Sequence, residues 1–513
     1  MSTARVARPY RHLSRRIGLV LGPVLFFTLL LFFDFSPGHP EVTRMAAVAA
    51  LMAAWWITEA IPLFATALLP MVLYPLFGIM KGGTTAPIYF NSTIFLFIGG
   101  FMIALTMEKW GLHRRIALTI IRLIGGGPQR IVLGFMVAAA FLSMWISNTA
   151  TAIMMVPIGL AIIMQLEERF TEEDTRTFST GLMLGIAYAC SVGGIATLVG
   201  TPPNLSFSRI FAITFPNAEP IAFGTWFLMG LPLSIIMLII VWLLLTRIFF
   251  KVPSHITIDR QVVQTEHDKL GPISYEERMV LIVFSLTAFL WVFRKPLVLG
   301  VFTVPGWSQL LPYPALIDDG TVAIFMALSM YLIPTRTPGA PTRRIIGPNV
   351  IRRLPWNIVI LFGGGFALAK GFQVTGLSTL VGEQFAGLAS VPPFVLIMLI
   401  CATITFLTEL TSNTATTEMI LPILASVAVA IQVNPLLLMI PATLAASQAF
   451  MMPVATPPNA IIFGSQRVRI GEMARTGIFI NIIGILVITL MFYTLGTVVF
   501  GIDLSQMPEW ATP

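Results

Sequence analysis

The sequence predicts an all-α polytopic membrane protein: eleven transmembrane helices plus two re-entrant hairpins, arranged as two inverted repeats. Three observations carry this reading. Of 513 residues, 56% are hydrophobic and 11% charged, where a soluble domain carries about a quarter charged side chains. Apolar runs of roughly 17 to 25 residues, the length that crosses a hydrocarbon core, recur from Ile17 almost to the C-terminus. The polar word Ser-Asn-Thr-Ala-Thr stands twice inside such runs, at Ser147 to Thr151 and Ser412 to Thr416.

In chain order, Arg5, Arg8, Arg11, Arg15 and Arg16 precede the first apolar run, Ile17 to Phe33. That run lacks a small-residue cleavage site and many more follow it, so it reads as a first transmembrane helix with a cytoplasmic N-terminus. Spans over Met45 to Ile61 and Leu63 to Met80 come next, then Thr93 to Met107, which runs into the basic stretch His113 to Arg122. The region Ile131 to Met164 is interrupted by Ser147, Asn148 and Thr149 and reads as the first hairpin. Further spans cover Leu182 to Leu198, Phe227 to Phe249, Met279 to Phe293, Val322 to Leu332 and Ile358 to Ala369. Pro393 to Ala430, interrupted from Thr411 to Thr414, is the second hairpin, and Pro435 to Met451 and Gly477 to Phe500 finish the chain.

Eleven spans put the termini on opposite sides, with the C-terminus outside. Loop charges agree: Arg336 to Arg353 holds five arginines and no acid, and Arg467, Arg469 and Arg475 face one Glu472, both stretches falling inside. Arg294 and Lys295 fall outside and count against the topology. The net charge of +8 is thus a membrane-topology signal rather than a nucleic-acid footprint. Cys190 and Cys401 lie far apart in apolar surroundings and read as packing residues.

Leu96-Phe97, Gly99-Gly100-Phe101, Ala104, Gly111-Leu112, Ser147 to Thr151 and Pro157 all recur 265 residues later, in one register. Thr201-Pro202-Pro203-Asn204 recurs 255 residues later as Thr456-Pro457-Pro458-Asn459. Five spans separate the two Ser-Asn-Thr words, and an odd number gives the two copies opposite orientations in the membrane, the plan of an inverted-repeat carrier.

Backbone polar groups cannot be left exposed to lipid, so each Ser-Asn-Thr or Thr-Pro-Pro break must line a protein cavity. Broken helices offer amide groups where one half begins and carbonyls where the other ends; the first suit an anion, the second a small cation. Asn148, Thr149, Asn413 and Thr414 supply donors for carboxylate or sulfate oxygens, while Ser143, Ser147, Thr408 and free carbonyls supply hard ligands for sodium. One isolated Ser-Asn-Thr would read as helix packing; four polar breaks related by one internal symmetry favour a binding site. Gly99, Gly100, Gly364 and Gly365 read as packing residues. Glu59 is expected near a helix end, paired locally. Glu409 and Glu418 flank the second motif, but their repeat partners are Met144 and Ile153, so no shared central role follows. His12, His39, His113, His255 and His267 all lie outside the motifs, which argues against a histidine proton relay. No nucleophile and base constellation of a membrane hydrolase is visible.

Trp55 to Pro62, both Ser-Asn-Thr motifs, Gly194 to Asn204, Asp319-Gly320-Thr321 and above all Ala446 to Asn459 make the chain resemble the divalent anion:sodium symporters, the group of sodium/dicarboxylate cotransporters. The signature-like segment is followed by Ile461-Ile462 where the pattern usually closes with valine. The resemblance implies a homodimer in the bacterial inner membrane, working as an elevator-type carrier. Residues 1–128 (four spans and a basic arm helix) and 251–390 (a cytoplasmic loop and three spans) would form the scaffold; 129–250 and 391–513, each a hairpin and two spans, would form the transport domain. It further implies a first sodium site at Ser143, Ser147, Asn148 and the Gly200 carbonyl, a second at Thr408, Thr411, Asn413 and the Ala455 carbonyl, and substrate contacts from Asn148, Thr149, Asn413, Thr414, Thr456 and Pro457. Sodium is then the coupling ion, no organic cofactor is called for, and a small dianion and the lipid bilayer are the partners. The expected function is sodium-coupled import of succinate, malate or fumarate. A sodium-independent dicarboxylate exchanger of the same fold and a sulfate:sodium symporter are the alternatives.

Overall fold

The computed structural model describes residues 8–252, 260–299, 302–339, 342–504 and 506–512. Arg5, His255 and the side chains of Arg8, Arg11 and His12 lie outside that description. The described chain is helical apart from short turns and one antiparallel ribbon, Leu297–Leu299 paired with Phe302–Val304, which the all-α expectation did not include. Among the described residues, seven helices are long and apolar enough to cross a membrane, including Leu13–Phe32, Asn148–Glu167, Phe223–Phe249, Trp356–Thr375 and Ile470–Val499. Of the shorter apolar helices, Pro128–Ser143, Pro393–Thr408 and Leu436–Ala445 run up to the polar breaks, whereas Leu63–Leu76 and Asp319–Leu332 do not. Tyr275–Val292 and Glu172–Gly194 open on charged residues, which lowers their apolarity without shortening them.

The sequence repeat is a repeat of structure. Ser92–Lys109 corresponds to Trp356–Thr375, each followed by a glycine in the left-handed region, Gly111 at φ 74° and Gly376 at φ 76°. Each glycine starts a short arm helix, Leu112–Ile124 and Leu377–Gln384; the second was not foreseen, because eight residues carry too little periodicity to register. Pro128–Ser143 and Asn148–Glu167 correspond to Pro393–Thr408 and Asn413–Ala430. After each Thr-Pro-Pro the span resumes, as Pro202–Thr214 and Pro457–Gly464, helices that the hydropathy of the sequence missed because Asn204, Ser206 and Arg209 dilute the first and Asn459 the second. The last long helix of each repeat carries a π-turn towards its C-terminal end, Leu244–Phe249 in the first and Phe492–Gly496, followed by Thr497–Val499, in the second.

Small residues bring helices together as expected for a membrane interior. A Cβ on Gly99 would lie 2.6 Å from the Ala323 backbone, and one on Gly364 2.6 Å from that of Ala67. Gly100 departs from the expectation: a Cβ there would meet nothing closer than Trp291 at 3.5 Å, an ordinary contact. Glu59 caps the helix Pro40–Thr58 in the left-handed region, at a helix end as expected, but it pairs at 3.7 Å with Arg15 of the preceding helix Arg8–Phe32 rather than with a local neighbour.

The two cations that strained the topology are both paired. Lys295 meets Glu219 at 2.5 Å, and Arg294 meets Asp319 at 2.5 Å with both side chains buried. Asp319 also accepts the Phe223 amide at 3.0 Å, and Arg294 donates to the Ile317 carbonyl at 2.7 Å. Asp319→Ala would leave the Arg294 guanidinium buried and uncompensated, and is expected to cost about 3 to 5 kcal/mol. Thermal unfolding of the purified protein checks this; a melting temperature unchanged from wild type would contradict it.

Candidate functional site

Four helices begin at one place. Asn148–Glu167, Pro202–Thr214, Asn413–Ala430 and Pro457–Gly464 all open with their first residues on the wall of a single cavity of about 460 Å³. The residues before them, Ser147, Thr201, Ser412 and Thr456, are extended and line the same wall. The reason is local: a serine or threonine stands at each N-cap, and in the two Thr-Pro-Pro turns the prolines also forbid the helix from continuing backwards. Ser147 accepts the Ala150 amide at 3.2 Å, and Thr456 accepts the Asn459 amide at 3.3 Å. Four helix N-termini therefore turn the positive ends of their dipoles on one volume, and the free amides come from the two Ser-Asn-Thr turns, since Pro202-Pro203 and Pro457-Pro458 carry no N–H. Among the described residues lining it, none is charged; Phe97, Phe101, Leu361 and Pro62 to Phe64 supply the apolar remainder.

Behind each Ser-Asn-Thr turn lies an oxygen cluster. The Ser143 hydroxyl donates to Asn148 Oδ1, and the Thr408 hydroxyl donates to Asn413 Oδ1 at 2.7 Å, the same contact in both repeats. Ser143 and Thr408 are fully buried. A Cβ built on Gly194 would stand 2.9 Å from Asn148 Oδ1 and 3.2 Å from the Gly200 carbonyl oxygen, and one on Gly200 would overlap the Gly194 carbonyl. Glycine at both positions thus lets Ser143, Asn148 and two carbonyls crowd into one oxygen-rich corner. The second corner gathers Thr408, Asn413 and the Ala446 carbonyl, 3.0 Å from the Thr408 hydroxyl. Such a cluster suits a small hard cation, while the amides on the cavity side suit an anion.

Of the residues singled out in sequence, Ser147, Asn148, Thr149, Gly200, Asn413, Thr414, Ala455, Thr456 and Pro457 all reach the cavity wall. Thr411 stands apart from it: its hydroxyl is engaged by the Leu407 carbonyl at 2.9 Å and by Thr416 at 2.5 Å. Asn357, at the start of Trp356–Thr375, lines the cavity and carried no signal in the sequence; its counterpart 265 residues earlier is Ser92.

Three supporting residues were also missed as such. Asn204 donates to the Thr197 carbonyl at 2.7 Å, and Asn459 donates to the carbonyls of Ala449 at 3.0 Å and Met452 at 3.1 Å, each tying a Thr-Pro-Pro turn to the unwound stretch before it. The identical offset of Asn204 and Asn459 within the repeat was the available signal. Glu409 accepts the amides of Phe450, Met451 and Met452 at 2.6, 2.9 and 3.1 Å and the Asn481 side chain at 2.7 Å, so it organises the stretch leading to Ala455.

Known proteins share this plan. Two solved structures superpose over most of the chain: Neisseria gonorrhoeae MtrF, described with a class of antimetabolite efflux pumps, at TM-score 0.56 and 14% identity over 92% of this chain and 98% of its own; and the Alcanivorax borkumensis YdaH transporter, at TM-score 0.55 and 13% identity over 89% and 98%. At such identities the likeness is one of fold. In sequence, the sodium-dependent dicarboxylate transporter SdcS of Staphylococcus saprophyticus is 42% identical over 501 residues, 96% of this chain and 94% of that protein. Its Staphylococcus aureus counterpart is 44% identical over 495 residues, 96% and 93%. The family described as the sodium:sulfate symporter transmembrane region matches residues 17–502. Spanning all but the ends, with both Ser-Asn-Thr turns and both Thr-Pro-Pro turns inside it, that match makes the chain a member of the sodium:sulfate symporter transmembrane family and a transporter rather than an enzyme.

Proposed function

We propose that the chain imports C4-dicarboxylates, succinate, malate or fumarate, by symport with sodium. The observation that carries this is the doubled site: one uncharged cavity receiving four helix N-termini, backed by an oxygen cluster in each repeat. Asn148-Thr149 and Asn413-Thr414 are equivalent donor sets, one from each repeat, and two carboxylates joined by a short carbon chain offer one partner to each. A sulfate presents a single centre to both. The dicarboxylate named in the Staphylococcus relatives supports the same choice.

Sodium held by Ser143, Ser147, Asn148 and the Gly200 carbonyl, and by Thr408, Thr411, Asn413 and the Ala455 carbonyl, would fix each asparagine with Oδ1 turned to the ion and Nδ2 to the anion. The empty carrier then binds the dianion poorly, because no charged side chain among the described residues lining the cavity replaces sodium. Residues 129–250 and 391–513 would carry the site across the bacterial inner membrane as one moving body against a scaffold of 1–128 and 251–390, in a homodimer with cytoplasmic N-termini and external C-termini. Four helix N-termini sharing one cavity favour such rigid carriage over a channel, since the site stays intact while the barrier moves.

In proteoliposomes, succinate uptake is expected to rise at least tenfold with an inward sodium gradient and to show saturable counterflow. Uptake indifferent to sodium would replace symport by exchange; sulfate outcompeting every C4-dicarboxylate in the same counterflow panel would replace the substrate.

A further inference from the structure

Glu418 sits five residues into the helix Asn413–Ala430, within the apolar interior and away from the cavity wall. It is fully buried. The Ser206 hydroxyl, on the helix after the first Thr-Pro-Pro turn, donates to its Oε1, and its Oε2 has no hydrogen-bond partner. On that open side lies Gly365 of Trp356–Thr375, so close that a Cβ there would overlap the carboxyl. Ile153, the repeat counterpart, is an exposed apolar residue, so the carboxyl is an addition to one repeat only.

The helices packed on Asn413–Ala430 bring few groups that could balance a charge. Arg209 lies on Pro202–Thr214, Lys370 on Trp356–Thr375, Glu383 on Leu377–Gln384, Glu41 and Arg44 on Pro40–Thr58, and Cys401 on Pro393–Thr408; Leu436–Ala445 has none. Lys370 donates to Gln373 at 2.7 Å and Arg44 to the Phe77 carbonyl at 3.0 Å, while Arg209 Nε is itself buried without a partner. Among the described residues, none forms an ion pair with Glu418. One hydroxyl donor does not compensate an ionised carboxylate removed from water, so the neutral acid is the stable form. Gly365 also closes the side from which a sodium ion would need its remaining ligands.

We propose that Glu418 is a proton-binding site, filled while helix Trp356–Thr375 is packed on helix Asn413–Ala430 and emptied only when that contact opens to water. The first part stands on the enclosure alone; the emptying during transport rests on the movement of residues 391–513 against residues 251–390 proposed above. The step is the release of H⁺ from the carboxyl oxygen to water, leaving the carboxylate, and its reversal on closure.

The test is infrared spectroscopy of the purified full-length protein in proteoliposomes, titrated from neutral to alkaline pH, as a difference between wild type and Glu418→Gln. A protonated-carboxyl C=O stretching band that persists in wild type above neutral pH and vanishes in the variant is the expected result. Its absence from wild type, or its survival in the variant, overturns the proposal. Should Glu418→Gln fail to fold, Ser206→Ala serves instead: removing the single donor must shift the band, and an unshifted band overturns it. The readout needs no transported substrate, so failure of the proton site and failure of the symport reading are distinguishable.

Discussion

Asn148→Ala and Asn413→Ala are each expected to reduce sodium-driven dicarboxylate uptake by at least about 100-fold, the loss that follows removal of a single well-placed donor in a preorganised site. Each asparagine is the first residue of its helix, reaches the cavity wall, and has its Oδ1 engaged by a buried hydroxyl, Ser143 or Thr408. One truncation therefore removes a ligand oxygen from the proposed ion site and an amide donor from the proposed anion site together. Folding should be spared, because both side chains are only partly buried. Uptake in proteoliposomes, with gel filtration and thermal unfolding as controls, gives the answer, and near-normal transport by both variants would refute the site. Asn148→Asp sharpens the result: it keeps an oxygen for the cation but adds a charge facing the dianion, so KM for substrate should rise more than the sodium requirement.

The repeat plan and the four breaks were legible in sequence because both need only identities at fixed spacing. Ser-Asn-Thr and Thr-Pro-Pro inside an apolar run announce a broken helix whatever surrounds them, and the structure places both pairs on one cavity. The apolar lining was not legible: Phe97, Phe101 and Leu361 look like any other membrane-helix residue until the fold decides which face meets the cavity. Asn357 was hidden for a different reason, since a polar residue at the mouth of a helix reads as a cap. The resumed helices Pro202–Thr214 and Pro457–Gly464 were lost to hydropathy because their polar residues serve the turns, Asn204 and Asn459 by donating to carbonyls of the preceding stretch.

Symmetry was a better guide to where function lies than to how it is built. In the first repeat the unwound stretch is tied by Thr197, whose hydroxyl donates to the Met144 carbonyl at 2.6 Å and accepts the Gly200 amide at 3.0 Å. The position equivalent to Thr197 in the second repeat is Met452, which has no hydroxyl to offer. There the task falls to Glu409, at the position equivalent to Met144. A residue without a repeat counterpart can thus do a repeated job, which a search for matching letters passes over.

Glu409→Ala should accordingly be among the most destabilising single substitutions in the chain. It would leave the amides of Phe450, Met451 and Met452 and the Asn481 side chain without their acceptor, in a region where water is not at hand to replace it. Each unsatisfied buried donor costs about 1 to 3 kcal/mol, and since such losses are not additive, a total of about 3 to 5 kcal/mol is expected. Glu409→Gln can keep the oxygen that accepts from Phe450, Met451 and Asn481 but turns an NH₂ towards the Met452 amide, which also donates, so it should fall between alanine and wild type. If the carboxylate only filled space, the isosteric glutamine variant would melt like wild type and alanine alone would lose stability. If it positions the stretch that ends at Ala455, the glutamine variant, which folds more readily, should still show a raised sodium requirement for uptake with little change in the sodium-saturated rate. A sodium dependence identical to wild type, in a glutamine variant of clearly lowered melting temperature, would confine Glu409 to stability and leave the Ala455 carbonyl to be placed by Asn459 alone.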